Sequence, residues 1–174
     1  MKRRHMMKDM LAACLLLLTS CFHDSEWTRD AERVRVGEHL PEMELLMEDS
    51  TWLTTKSLLG NWVVMVLFSV KCSDCRKELP EVQRFYDMLP QDASTKVVAV
   101  SRAEGRELVA PFWQELTLSI PYSAQTDDQI FRLFADHTVP RIYIANPQGI
   151  VVATFDDTNM PSAKTLASII LELS

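Results

Sequence analysis

Several things are scarce in this chain, and each shortage excludes a class. Four glycines and eight prolines in 174 residues are too few for a collagen-like or low-complexity polymer. No run of about 18 apolar residues occurs, so no segment reads as a transmembrane helix. Positive charge is short: 18 Lys and Arg against 24 Asp and Glu leave a net charge of −6 and a pI near 5.2. Phosphate contact needs a basic face, so this balance argues against nucleic acid as a partner. What is present, 47% hydrophobic and 24% charged residues, suffices for one globular domain with its own core and is too little for two.

The first twenty residues differ from the rest. Lys2, Arg3, Arg4 and Lys8 precede the apolar run Met10-Leu11-Ala12-Ala13-Cys14-Leu15-Leu16-Leu17-Leu18. That run is too short to span a bilayer but fits the apolar region of a secretory signal. It ends in Leu18-Thr19-Ser20-Cys21, which resembles the bacterial lipobox. The resemblance implies lipidation and membrane tethering at Cys21; a plain signal peptide cut near Ser20 is the alternative. Removing residues 1–20, whose Lys2, Arg3, Arg4 and Lys8 outweigh Asp9, takes the net charge from −6 to −9. Cys14 leaves with the signal and Cys21 carries lipid, so only Cys72 and Cys75 remain, in a compartment where disulfides persist. Cysteines this close make a poor structural staple, because the loop they close is very short. Their value is chemical.

Residues 21–35 are polar and without period, which reads as a tether, with Trp27 part of it. Residues 36–174 form the folded domain. Residues 43–47 and 52–54 suit a short hairpin about Glu48-Asp49-Ser50. The β-branched apolar run 62–68 and its counterpart 96–101 read as strands buried on both faces. Leu79, Val82, Phe85, Tyr86 and Leu89 recur at helical spacing over 73–89. A helix over 107–118 must start or kink at Pro111, and 128–135 is a shorter one. Strands 141–145 and 150–155 flank the turn Asn146-Pro147-Gln148-Gly149, and a last helix runs from Met160-Pro161-Ser162 through Leu171. Met65, Phe112, Trp113, Phe131 and Phe134 are core. The order predicts an α/β fold with a mixed sheet flanked by helices on both faces.

Cys72-Ser73-Asp74-Cys75 lies just past the carboxyl end of a buried strand, where a helix begins. Ligands and chemistry collect there in open α/β sheets. The unpaired N–H groups and partial positive charge of a helix N-terminus favour a thiolate, the attacking species. Cys72 is therefore the candidate nucleophile. Cys75, one turn inward, is the candidate resolving thiol, and the pair cycles between dithiol and disulfide.

The stretch from Gly60 through Cys72-Ser73-Asp74-Cys75-Arg76-Lys77-Glu78-Leu79-Pro80 resembles the thioredoxin-like family, most closely its membrane-tethered extracytoplasmic TlpA/ResA-type branch. Val36-Gly37-Glu38 with Pro41, Thr138-Val139-Pro140 and Asn146-Pro147-Gln148-Gly149 agree with it. The resemblance covers residues 36–174 and implies a thioredoxin-like fold and a thiol–disulfide oxidoreductase without cofactor. It also implies a cis Pro140, against the general preference of X–Pro bonds for trans. The backbone of Val139 would then pair with an extended substrate, beside Lys71, Ser73 and Asp74. Glu78, three residues after Cys75, matches a buried proton-shuttling acid of that branch; the bland alternative is a solvated surface Glu. Val66 is apolar where thioredoxins proper carry a buried Asp.

The branch mostly reduces disulfides, so the expected partners are wrongly oxidised exported proteins, apocytochrome c among them, and a membrane electron donor. A monomer is expected. Three departures bear on substrate choice. Lys71 stands where Trp is usual, Asp74 where Pro is common, and Arg141 where a small polar residue is usual. Lys71 should favour a thiolate and Asp74 oppose it. Two other readings stay open: a copper or zinc module using both cysteines with His137 or His39, and a redox-silent scaffold.

Overall fold

The structure, a computed structural model, describes residues 32–90 and 94–174. The signal segment, Cys21, Trp27 and all of the tether up to residue 31 lie outside the described residues. No helix among the described residues is long and apolar enough to cross a membrane.

The elements in chain order are β1 (Glu44–Leu46), β2 (Trp52–Thr54), α1 (Thr55–Leu58), β3 (Trp62–Phe68), α2 (Ser73–Met88), β4 (Thr95–Ser101), α3 (Arg106–Glu115), β5 (Tyr122–Ser123), α4 (Gln129–Phe134), β6 (Arg141–Ala145), β7 (Val151–Phe155) and α5 (Ala163–Leu173). Five strands form one mixed sheet in the order β5-β4-β3-β6-β7. β4 runs parallel to β3, whereas β6 is antiparallel to it. β1 and β2 form a separate antiparallel hairpin, its Leu45 opposite Leu53.

All seven residues of central β3 are buried, and the period of two in a strand divides them between two cores. Trp62, Val64, Val66 and Phe68 pack with Leu79, Val82 and Phe85 of α2, Phe112 and Trp113 of α3 and Leu166 of α5. Val63, Met65 and Leu67 pack on the opposite face with Leu45, Leu58, Phe131 and Phe134. A strand buried on both sides has no polar face to spare, which is why its sequence shows no alternation.

Three expectations need correcting. Residues 32–35, read as tether, are partly packed: the Arg33 and Val34 N–H groups both donate to Phe134 O, at 2.8 and 3.3 Å, and Val34 is only 5% exposed. The domain's packing thus begins before residue 36. Pro111 does not start α3 but lies inside it. α3 also stops at Glu115, not 118, in a Schellman motif: Leu118 N–H donates to Trp113 O (2.9 Å) and Thr117 N–H to Gln114 O (3.1 Å), with Thr117 at φ +55°. Glycine usually holds that left-handed position, so the sequence carried no stop signal there. α1 and β5 had no counterpart in the sequence reading. α1 is nucleated by a capping box between Thr54 and Ser57, and β5 extends by two residues the edge of a sheet pinned through Glu48, whose Oε2 accepts the Tyr122 N–H at 2.9 Å.

Candidate functional site

Cys72 is the N-cap of α2, so the helix begins on its side chain. Its Sγ accepts the Cys75 N–H at 3.1 Å and its thiol donates to Val139 O at 3.2 Å. Serine or aspartate does this job at most helix starts; here a sulphur takes one of the orphan N–H groups and sits in the positive end of the helix dipole. Cys72 is half-buried and Cys75 fully buried, and both are free thiols. Burial, then a hydrogen bond from the Cys75 thiol to Cys72 Sγ, push the Cys75 thiol well above the usual cysteine range.

One turn further in, Glu78 is 3% exposed, and its Oε1 has no hydrogen-bond partner. Desolvation, and secondarily the nearby charge of Glu81, raise its pKa from 4.5 to about 7. A buried carboxyl without a partner for its charge favours the neutral form. Cys75 and Glu78, three apart on one helix, share a face. α2 continues through Pro80, which can offer no N–H to the Arg76 carbonyl.

The Val139–Pro140 peptide bond is cis. The Val139 N–H makes no hydrogen bond to the described residues, so an incoming strand would find it open. The loop is braced from below by Arg141, whose side chain is 5% exposed. Its Nε donates to Thr138 O (3.1 Å), its Nη2 donates to Thr138 Oγ1 (3.3 Å), and its Nη1 lies 3.9 Å from Glu32 Oε1. The strand-to-helix turn before Cys72 is held by Glu104. This buried carboxylate accepts Ser69 Oγ–H at Oε1 and Val70 N–H at Oε2, both at 2.7 Å. Ser69, Lys71, Cys72, Arg102, Ala103, Glu104 and Val139 line an open cleft of about 390 Å³ beside the nucleophile. Lys71 and Ser73 are exposed, and Asp74 is paired with Lys77 Nζ at 2.7 Å.

The fold thus brings Lys71, Cys72 and Val139 to one cleft, with Ser73 and Asp74 following Cys72 on α2 and Cys75 and Glu78 behind it. Neither His39 nor His137 lines that cleft. His39 pairs with Ile150 at the opposite end of the sheet, and His137 is exposed, its carbonyl accepting from Arg102. No group of three His, Cys, Asp or Glu side chains among the described residues could hold a metal ion. Glu104, Ser69 and Arg102 escaped the sequence reading. A single Glu after a buried strand carries no spacing signal, and its partner Ser69 lies 35 residues away.

A mixed sheet packed on both faces, with a CxxC capping the helix after its central strand and facing a cis-proline loop, defines the thioredoxin-like class. The AhpC/TSA family matches residues 36–154, and the chain belongs to that family. Among curated relatives, Thiol-disulfide oxidoreductase ResA of Bacillus subtilis is 24% identical over 127 residues, covering 73% of this chain and 70% of that protein. The ResA of Oceanobacillus iheyensis is 26% identical over 145 residues, covering 80% and 72%. Among solved structures, a protein from Bacteroides thetaiotaomicron described as a protein disulfide isomerase superposes with a TM-score of 0.74 at 23% identity, over 82% of this chain and 90% of its own. StoA from Bacillus subtilis does so with 0.63 at 21% identity, over 74% and 95%. At these identities the structures establish the shared fold.

Proposed function

We propose that this chain is a thiol–disulfide oxidoreductase that reduces disulfides of exported proteins. The observation that carries the reading is the contrast within one helical turn: an accessible Cys72 capping α2 and a buried Cys75 behind it. The names of the ResA relatives support the same activity.

The chemistry follows from the geometry. Cys72, as thiolate, attacks one sulphur of the substrate disulfide; a mixed disulfide forms and the first substrate thiolate leaves. Cys75 then gives up its proton and attacks Cys72 Sγ, which breaks the mixed disulfide and releases the second substrate sulphur. Glu78, poised near neutrality, accepts the Cys75 proton and can return it. Two electrons pass from the Cys72/Cys75 pair to the substrate, whose sulphurs leave as thiolates and take up protons from solvent or from Glu78. A membrane electron donor restores the dithiol. The peptide substrate adds as a strand along Val139, beside Lys71, Ser73 and Asp74.

The lipobox-like Leu18-Thr19-Ser20-Cys21 supports a lipid anchor at Cys21 on the extracytoplasmic side, after removal of residues 1–20, with residues after Cys21 as tether. Apocytochrome c is one substrate of the right chemistry, and the working unit is a monomer. The deciding experiment is a redox titration of residues 22–174 with thiol trapping. A reversible two-electron couple nearer thioredoxin (about −270 mV) than DsbA (about −120 mV) supports a reductase; no reversible couple overturns the reading.

A further inference from the structure

Two cations line the cleft beside Cys72 without an anion of their own. Lys71 is exposed, and its Nζ makes no ion pair or hydrogen bond to the described residues; its backbone N–H donates to Ser69 Oγ at 3.2 Å. Arg102 is fixed differently. Its Nη1 donates to His137 O at 2.7 Å, and its guanidinium carbon lies 4.2 Å from the centroid of the Phe131 ring, itself 1% exposed. These contacts set the plane of the guanidinium and leave Nε and Nη2 without an acceptor.

The neighbouring carboxylates are committed. Both Glu104 oxygens are taken by Ser69 and Val70, and Asp74 pairs with Lys77. Asp128 feels the charge of Arg102, but its Oδ2 accepts from Arg132 Nε at 2.8 Å. In a chain of net charge −6, two cations stand at this rim against the Glu104 carboxylate. A fixed, partly desolvated guanidinium is suited to carboxylate recognition, and Lys71 adds a mobile point charge.

We propose that Lys71 and Arg102 form an anion-binding rim that selects disulfides whose attacked cysteine has Asp or Glu two residues away. The inference rests on reading the cleft as a site of disulfide exchange. An extended peptide paired with Val139 places alternate side chains on one face, about 7 Å apart. A carboxylate two residues from the sulphur held at Cys72 therefore falls at the rim. Charge of this kind acts on encounter and on the choice of partner.

The test uses the purified protein in its dithiol form and three peptide disulfides identical except for Glu, Gln or Lys two residues from the cysteine. The second-order rate of reaction is followed by the loss of free thiol. The Glu peptide should react about tenfold faster than the Gln peptide, and the Lys peptide slower than both. The ratio of Glu to Gln should fall towards one in about 1 M salt, where charges are screened beyond about 3 Å, and in the Lys71→Gln, Arg102→Gln double variant. Lys71→Arg should retain it. Because the readout is a ratio, any general effect of a variant on Cys72 cancels. Equal rates for the three peptides at low salt overturn the proposal while leaving the oxidoreductase intact. No reaction even with uncharged hydroxyethyl disulfide overturns both.

Discussion

Cys72 and Cys75 belong to the same turn of the same helix, yet their surroundings have little in common. Half-buried Cys72 meets a helix N-terminus, an open backbone N–H at Val139 and a cleft with unpaired cations. Around Cys75 everything is apolar or neutral, with the unpartnered Glu78 carboxyl one turn away. The difference teaches a division of labour. The outer position makes a sulphur easy to reach, and the inner position makes one that reacts only when a proton is taken from it.

The largest test of this contrast is removal of each sulphur. Cys72→Ser should lower turnover by about 10³-fold or more. Cys75→Ser should instead accumulate a mixed disulfide, seen as a mass increment by intact mass spectrometry. Normal turnover in the Cys72 variant would overturn the assignment.

Glu78→Gln comes next. The resolving step should slow about 100-fold, and the inflection near pH 7 in its rate should vanish from stopped-flow profiles. Stability should respond as well. The folded pKa of Glu78 lies above its unfolded value, so the native state prefers the proton. Its stabilising contribution is complete below about pH 4.5 and is lost as pH rises through about 7. Relative to the Gln variant, the wild type should lose about 3 kcal/mol across that window in denaturant titrations.

Glu104→Ala sharpens the outer half of the comparison. It strands the Ser69 hydroxyl and Val70 N–H that its carboxylate held. About 1–3 kcal/mol of stability should be lost, and Cys72 alkylation should slow as its turn loosens. The smallest effect belongs to Lys77→Ala. Its pairing with Asp74 is exposed, so the melting temperature should not move, and the rate at Cys72 should fall at most severalfold as Asp74 is unmasked.

Much of this was legible because it was local. β3 announced itself as an unbroken apolar run, α2 by its period, and the two cysteines by spacing alone. The sequence also supplied Glu78, through its place three residues after Cys75, although its burial needed the sheet against which α2 packs. What stayed hidden was long-range or conformational. Glu104 acquires meaning only when β3 and β4 lie side by side. Arg102 becomes fixed only once Phe131 arrives from α4. The end of α3 depends on a left-handed Thr117 that no residue preference would announce.

The chain enters the described domain beside its reactive end: Glu32 bridges to Ala135 and approaches Arg141 beneath the cis-proline loop. Ser174 lies at the far end of the sheet, with Trp62 and Pro147 around the same groove. The two ends of the described domain therefore lie at opposite ends of the sheet. A fluorophore, purification tag or surface linkage at Ser174 leaves the cleft open to a large protein substrate.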